Sequence, residues 1–166
     1  MKQQGTNHHC CVVDIDGQGI LIEGRPGSGK TSLALGLIDI ARSRGHDANL
    51  VCDDQAILSS CDGRLLASCP PSIRGLVEIR GFGISKVSAL ARTPVALAVR
   101  LVSDEAVQRM PEPIVAEIAG ISVPLVSSPR RHEAQGIRII LAWLQENAGN
   151  CGKTASCPRV ENNRQK

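Results

Sequence analysis

The stretch Ile20-Leu21-Ile22-Glu23-Gly24-Arg25-Pro26-Gly27-Ser28-Gly29-Lys30-Thr31-Ser32-Leu33-Ala34-Leu35 decides the fold. Its centre, Gly24 to Thr31, fills the phosphate-loop pattern G-x-x-x-x-G-K-[ST] at every fixed position, and its flanks supply the strand before and helix after that the motif needs. Gly24, Gly27, Ser28 and Gly29 form the cradle. The glycines let successive N–H groups turn into one concavity, closed by the positive end of the following helix. Lys30 then reaches the terminal phosphates, and the Thr31 hydroxyl holds a magnesium ion.

Working outward, the apolar runs His9 to Ile15 and Gly19 to Glu23 are separated by Asp16-Gly17, which predicts a β-hairpin feeding the loop. Residues 1–7 are polar and are expected to be flexible. Downstream, Leu33, Ala34, Leu37, Ile38, Ile40 and Ala41 recur at helical spacing until Gly45 supplies a stop. Gly36 inside that helix costs about 1 kcal/mol against alanine, tolerable where another element packs closely.

Leu50-Val51-Cys52 reads as a strand ending in Asp53-Asp54. Ligands of open α/β sheets gather at the carboxyl ends of strands, so the two carboxylates are candidates for the same crevice, with a solvated turn or helix cap as the alternative. Phosphoryl transfer needs magnesium ligands and an acceptor-positioning base, which such a pair can supply. Further strands are expected at Ala56 to Leu58 and Leu65 to Ser68, before the break at Pro70-Pro71. In Val77-Glu78-Ile79-Arg80-Gly81-Phe82-Gly83-Ile84 the alternation puts Glu78 and Arg80 on one face of a strand, and the glycines suggest close backbone approach.

Val95 to Val102 is the most continuous apolar run and predicts a central strand buried on both faces. Arg109 stands in the polar segment 103–113, where an arginine by itself is simply solvated. Ile121 to Val126 is expected to be an edge strand because of Pro124. His132 to Gln145 predicts a closing helix that buries Ile137, Ile140, Leu141 and Leu144, and residues 146–166 read as a disordered tail.

The 166 residues, 42% of them hydrophobic, suit one α/β domain over residues 8–145. With one Trp, one Phe and no Tyr there is no platform for stacked bases, and a net charge of +3 gives no phosphate-backbone footprint, so no nucleic-acid partner is expected. Seven cysteines at irregular spacing, with no signal-peptide pattern, point to a reducing, cytoplasmic compartment. His8-His9-Cys10-Cys11 is a poor metal site, because neighbours on a strand face opposite ways. No run of about 18 apolar residues implies a membrane span.

Four motifs together resemble the catalytic domain of the HPr kinase/phosphorylase family, over residues 9 to 144. They are His9 to Gly17 leading into the phosphate loop, Asp53-Asp54, Val77 to Ile84, which is similar to the family pattern E-[IV]-R-G-x-G, and Arg109. The resemblance implies a phosphate-loop kinase fold of the HPr kinase / PEP carboxykinase-like type, with a central mixed β-sheet flanked by helices, in a short form holding the carboxy-terminal catalytic domain alone. It implies ATP and Mg2+, an HPr-like phosphocarrier protein as serine acceptor, and the reverse phosphorolysis with inorganic phosphate that yields pyrophosphate. Carried over by residue, Gly27, Gly29 and Lys30 hold the β-phosphate, Thr31 and Glu78 the magnesium, and Asp54 lies close to the metal. Asp53 accepts the serine proton, Arg109 stabilises the transferred group, and His9 lines the site. Full-length relatives are hexamers, so a homo-oligomer is an expectation. Pro26 and Arg25 depart from the family loop, as does Thr31 in place of serine, and a proline there removes one N–H donor. The other readings kept open are a nucleotide sensor that controls a partner signalling kinase and a small-molecule kinase.

Overall fold

The 11-residue strand β9 (Arg92–Val102) organises the molecule. On one side it pairs in parallel with β3 (Gln18–Glu23), from Gly19↔Val95 to Glu23↔Arg100. On the other side its first residues pair antiparallel with β6 (Arg64–Ser68), and its last five pair in parallel with β11 (Ile121–Pro129). The computed structural model describes residues 5–148, and the resulting sheet has nine strands. Beyond β3 lie β2 (Cys11–Ile15) and β4 (Ala48–Cys52), both antiparallel to their neighbour. Beyond β6 come β5 (Ala56–Cys61) and β1 (Thr6–His8), and beyond β11 comes β10 (Ile114–Ile118). A separate hairpin pairs β7 (Leu76–Ile79) with β8 (Gly83–Lys86). This is the expected α/β architecture with a mixed sheet.

The β2–β3 hairpin forms where Asp16-Gly17 predicts it. Both residues have positive φ, 53° and 83°, the geometry whose twist matches flanking strands. Alternation then sends side chains to two faces. Cys11, Val13, Ile15, Ile20, Ile22, Leu97, Val99 and Leu101 face helices α1 (Lys30–Ser43) and α2 (Glu133–Asn147). Val12, Leu21 and Ala98 face a second core layer built from strands, including Leu58, Leu65 and Val123. The flanking helices therefore share one face of the sheet.

α1 buries Leu33, Ala34, Leu37, Ile38 and Ala41, whereas Ile40 lies at the edge of the stripe and is 37% exposed. Gly36 is explained by α2. A Cβ there would meet Glu133 Oε1 at 2.1 Å and its Cδ at 2.8 Å, so glycine permits the helix–helix approach.

Several expectations are corrected. Thr6 and Asn7 belong to β1, paired with Leu58 and Ile57, rather than to a loose terminus. β11 is not an edge strand, since β10 covers it. Pairing with β9 starts at Leu125, one residue after Pro124, so the missing N–H breaks no ladder on that side. Glu78 lies on β7, but Arg80 stands in the following turn, which Phe82 N closes on Ile79 O at 2.9 Å, so the two do not share a strand face. β9 is interrupted as a buried strand by Arg100, whose Nε meets Glu23 Oε1 at 2.6 Å across the β3 pairing. α2 runs through Asn147 with Ala148 as its C-cap, and residues 149–166 of the expected tail lie outside the described residues, as does the start of the 1–7 segment.

The burial pattern of α1 sets a prediction. Leu37→Ala should lower unfolding stability by about 2–5 kcal/mol, and Ile40→Ala by less than about 1 kcal/mol. Denaturant titration of the two variants measures the difference.

Candidate active site

Three parallel strands, β3, β4 and β9, end on the same edge of the sheet as β11, and the site residues gather there. β3 delivers the phosphate loop. Ser28 N donates to Arg25 O at 3.1 Å, and Gly27 has φ 74°, which matches a turn with proline favoured at its second position and glycine at its third. Pro26 thus shapes the loop in addition to removing a donor. Gly29, at φ 95°, opens α1 with no side-chain cap and no acid in the first turn, an arrangement that leaves the first helical N–H groups suited to an anion. Lys30 lies over the loop, its Nζ donating to the carbonyls of Gly24 (3.1 Å) and Arg25 (3.3 Å).

The neighbouring aspartates are separated sharply. Asp53, at the end of β4, is 9% exposed, and its Oδ1 accepts from the Thr31 hydroxyl at 2.8 Å and from the Cys11 thiol at 2.9 Å. Its Oδ2 accepts from Glu78 N at 3.2 Å, which places β7 against the site. Asp54 instead turns outward. It has φ 71° in a tight turn closed by Gln55 N donating to Asp53 O at 2.9 Å. Its carboxylate lies 3.1 Å from His9 Nε2, with half or more of both side chains exposed. Residues 9–11 point apart: His9 to Asp54, Cys11 to Asp53, and Cys10 into the strand-built core layer.

Arg109 stands exposed in the segment after the short 3-10 turn Asp104–Ala106, with no hydrogen bond or ion pair to the loop. Another arginine is there. Arg131, in the β11–α2 connection, donates from its backbone N to Ser28 O at 3.0 Å and from Nε to Gly27 O at 3.1 Å. Arg130 beside it lines a cavity of about 390 Å3 with Arg25, Ser28, Leu101 and Ser103. Sequence reading passed over Arg130 and Arg131; the available signal was a basic pair directly after an apolar strand. Backbone strain marks the same places. Of the described non-glycine residues with positive φ, Asp16, Asp62 and Ala119 sit in hairpin turns, while Asp54 (71°) and Arg131 (61°) flank the phosphate loop.

The HPr serine kinase C-terminal domain model matches residues 2–140. The chain belongs to that family. Over 85 residues it is 42% identical to the HPr kinase/phosphorylase of Clostridium beijerinckii and 44% identical to that of Clostridium perfringens. Each alignment covers 51% of this chain and 26% of the relative, so the chain spans about a quarter of the length of those proteins. The solved HPr(Ser) kinase/phosphatase of Coxiella burnetii superposes with a TM-score of 0.73 at 30% identity, covering 87% of this chain and 99% of that one. Family membership fits the fold and the phosphate loop. Among the described residues no helix is long and apolar enough to cross a membrane.

Burial sets the chemistry of the thiols near the site. It pushes Cys10 up to about 12, helped by Glu23, and it raises Cys11, with Asp53 adding to the effect, and Cys52 further. At pH 8 these three remain thiols, so iodoacetamide should leave them unmodified in native protein and alkylate all three in denaturant, as read by peptide mass spectrometry. Arg131→Ala should weaken binding of a fluorescent ATP analogue about tenfold while leaving the circular dichroism spectrum unchanged, since it removes a charged donor from a loop carbonyl.

Proposed function

We propose that this domain transfers the terminal phosphoryl group of ATP to a serine of an HPr-like phosphocarrier protein, and that the same cradle accepts inorganic phosphate for the reverse phosphorolysis, releasing pyrophosphate. The observation that carries the reading is the division of labour between the aspartates. A nucleotide sensor needs a carboxylate behind the Thr31 hydroxyl. It has no use for a second, exposed carboxylate paired with His9 at 3.1 Å.

The roles follow from environment. The N–H groups of Gly27 and of Gly29 to Thr31, with the Lys30 ammonium, bind the phosphates and oppose their charge. Thr31 and Asp53 are oxygen donors 2.8 Å apart and fit a hard cation, with Glu78 on the adjoining strand as a further carboxylate. Among the described residues there is no cluster of three or more His, Cys, Asp or Glu able to cage a metal. Magnesium is typically held by one or two carboxylates together with substrate phosphates. When bound, magnesium supplies neutralisation of the phosphate oxygens.

For the acceptor we assign Asp54 in place of Asp53. Asp53 already receives three hydrogen bonds and is closed to a protein serine. Asp54 is exposed, so a serine hydroxyl can approach it, and His9 orients its carboxylate. In the forward direction Asp54 takes the serine proton as the oxygen attacks the phosphorus; in reverse the protonated Asp54 returns it to the leaving serine oxygen. Arg109 is kept as the group that stabilises the transferred phosphoryl when acceptor protein orders its segment, and Arg131 secures the loop on the opposite side. A homo-oligomer remains part of this reading by family analogy.

Labelled ATP, Mg2+ and HPr with the purified protein test the proposal, with label expected on a serine. Asp54→Asn should lower the transfer rate by about 100-fold to 10,000-fold with ATP binding preserved. Lys30→Ala should weaken ATP binding itself. Normal transfer by Asp54→Asn together with loss of transfer in Asp53→Asn would return the base assignment to Asp53. Absence of label with the wild type, with ATP bound, would favour the sensor acting on a signalling kinase.

A further inference from the structure

Of the three hydrogen bonds on Asp53, the Thr31 hydroxyl belongs to the phosphate loop and the Glu78 amide to β7. The third, from Cys11, has no part in the mechanism above. Cys11 opens β2, is fully buried, and aims its thiol at Asp53 Oδ1 over 2.9 Å. Its sulfur is also 3.9 Å from Thr31 Oγ1, so two side chains, from β2 and α1, converge on one carboxylate oxygen at the end of β4. The alternation of β2 explains the aim: Cys11 faces the helices, while Cys10 and Val12 belong to the other core layer. Its 2.9 Å approach to a carboxylate oxygen, an acceptor, makes the thiol the donor.

We infer that Cys11 is a positioning residue for the phosphate site: its S–H fixes the rotation of the Asp53 carboxylate so that Oδ1 stays turned toward Thr31. The χ2 torsion of an aspartate is broad, and only donors hold it in one orientation. Each carboxylate oxygen accepts more than one hydrogen bond, so Oδ1 holds both Thr31 and Cys11. Once the Thr31 oxygen is engaged at the proposed cation site, the thiol is the side-chain donor that still restrains Oδ1. Removing it leaves Glu78 N on Oδ2 as the restraint. The inference rests on the metal role proposed for Thr31 and Asp53. A cysteine that merely fills the core is replaceable by any apolar side chain of similar size; one that positions Asp53 is replaceable only by another donor.

Binding of a fluorescent ATP analogue during Mg2+ titration separates the two for Cys11→Ala and Cys11→Ser. Cys11→Ala should need roughly five to ten times more Mg2+ for the half-maximal gain in affinity, with affinity in EDTA unchanged. Cys11→Ser should return to within about twofold of wild type, because a hydroxyl also donates. Wild-type Mg2+ dependence in Cys11→Ala, or an equal defect in Cys11→Ser, overturns the inference. If Cys11→Ala does not fold, the infrared S–H stretch of the wild type decides, assigned by its loss in Cys11→Ser. A band below those of the other buried thiols supports the hydrogen bond, and one at the position of an unbonded thiol overturns it. Wild-type affinity indifferent to Mg2+ would overturn the metal role of Thr31 and Asp53 and this inference with it, whereas a response that Cys11→Ala retains overturns the inference alone.

Discussion

The hydrogen bond between Thr31 Oγ1 and Asp53 Oδ1 ties the start of α1 to the end of β4, and the rest of the site is arranged around it. It depends on β3 and β4 running the same way with β2 between them, which brings two carboxyl ends to one edge. The neighbouring layers then add their parts: β2 the Cys11 thiol, β7 the Glu78 amide, and the β11–α2 connection the two bonds from Arg131 to the loop carbonyls. A buried carboxylate left without donors is costly, so Asp53 holds these elements together as much as they hold it.

Adjacent residues with one chemistry acquire two environments here through backbone conformation. The left-handed turn at Asp54 sends one carboxylate inward and the other into solvent against His9. Conformations of this kind cost about 1–3 kcal/mol for a residue other than glycine and persist when surrounding structure imposes them. The imposing structure is visible: Asp53 is fixed by its three hydrogen bonds, and Asp54 takes the conformation that remains. The same applies to Arg131, held at φ 61° by its own contacts to Ser28 and Gly27.

What the sequence disclosed and what it withheld divide along the range of the responsible forces. The phosphate loop, the Asp16-Gly17 hairpin, α1, β9 and α2 are legible because pattern and turn chemistry act within a few residues. Ile40 fits the helical stripe and is still 37% exposed, because the width of the stripe that gets covered is set by the partner surface. The turn at Arg80 and the interior position of β11 depend on pairings with distant segments. So do the contacts of Arg131, 104 residues from Gly27. The inward turn of Asp53 and the outward turn of Asp54 hang on a single φ angle, which composition and periodicity do not encode.

The fork at β9 has a consequence for how this fold varies. Two hairpins, β5–β6 and β10–β11, share one edge of the same strand, the first through three residue pairs and the second through five. β3 and its loop hold the opposite edge by an independent ladder. Insertions at the tip of either hairpin, at Asp62-Gly63 or Ala119-Gly120, therefore leave the spacing of Thr31, Asp53 and Arg131 unchanged. The outer surface of the domain is modular with respect to its chemistry, and new partners can be accommodated there without altering the phosphate cradle.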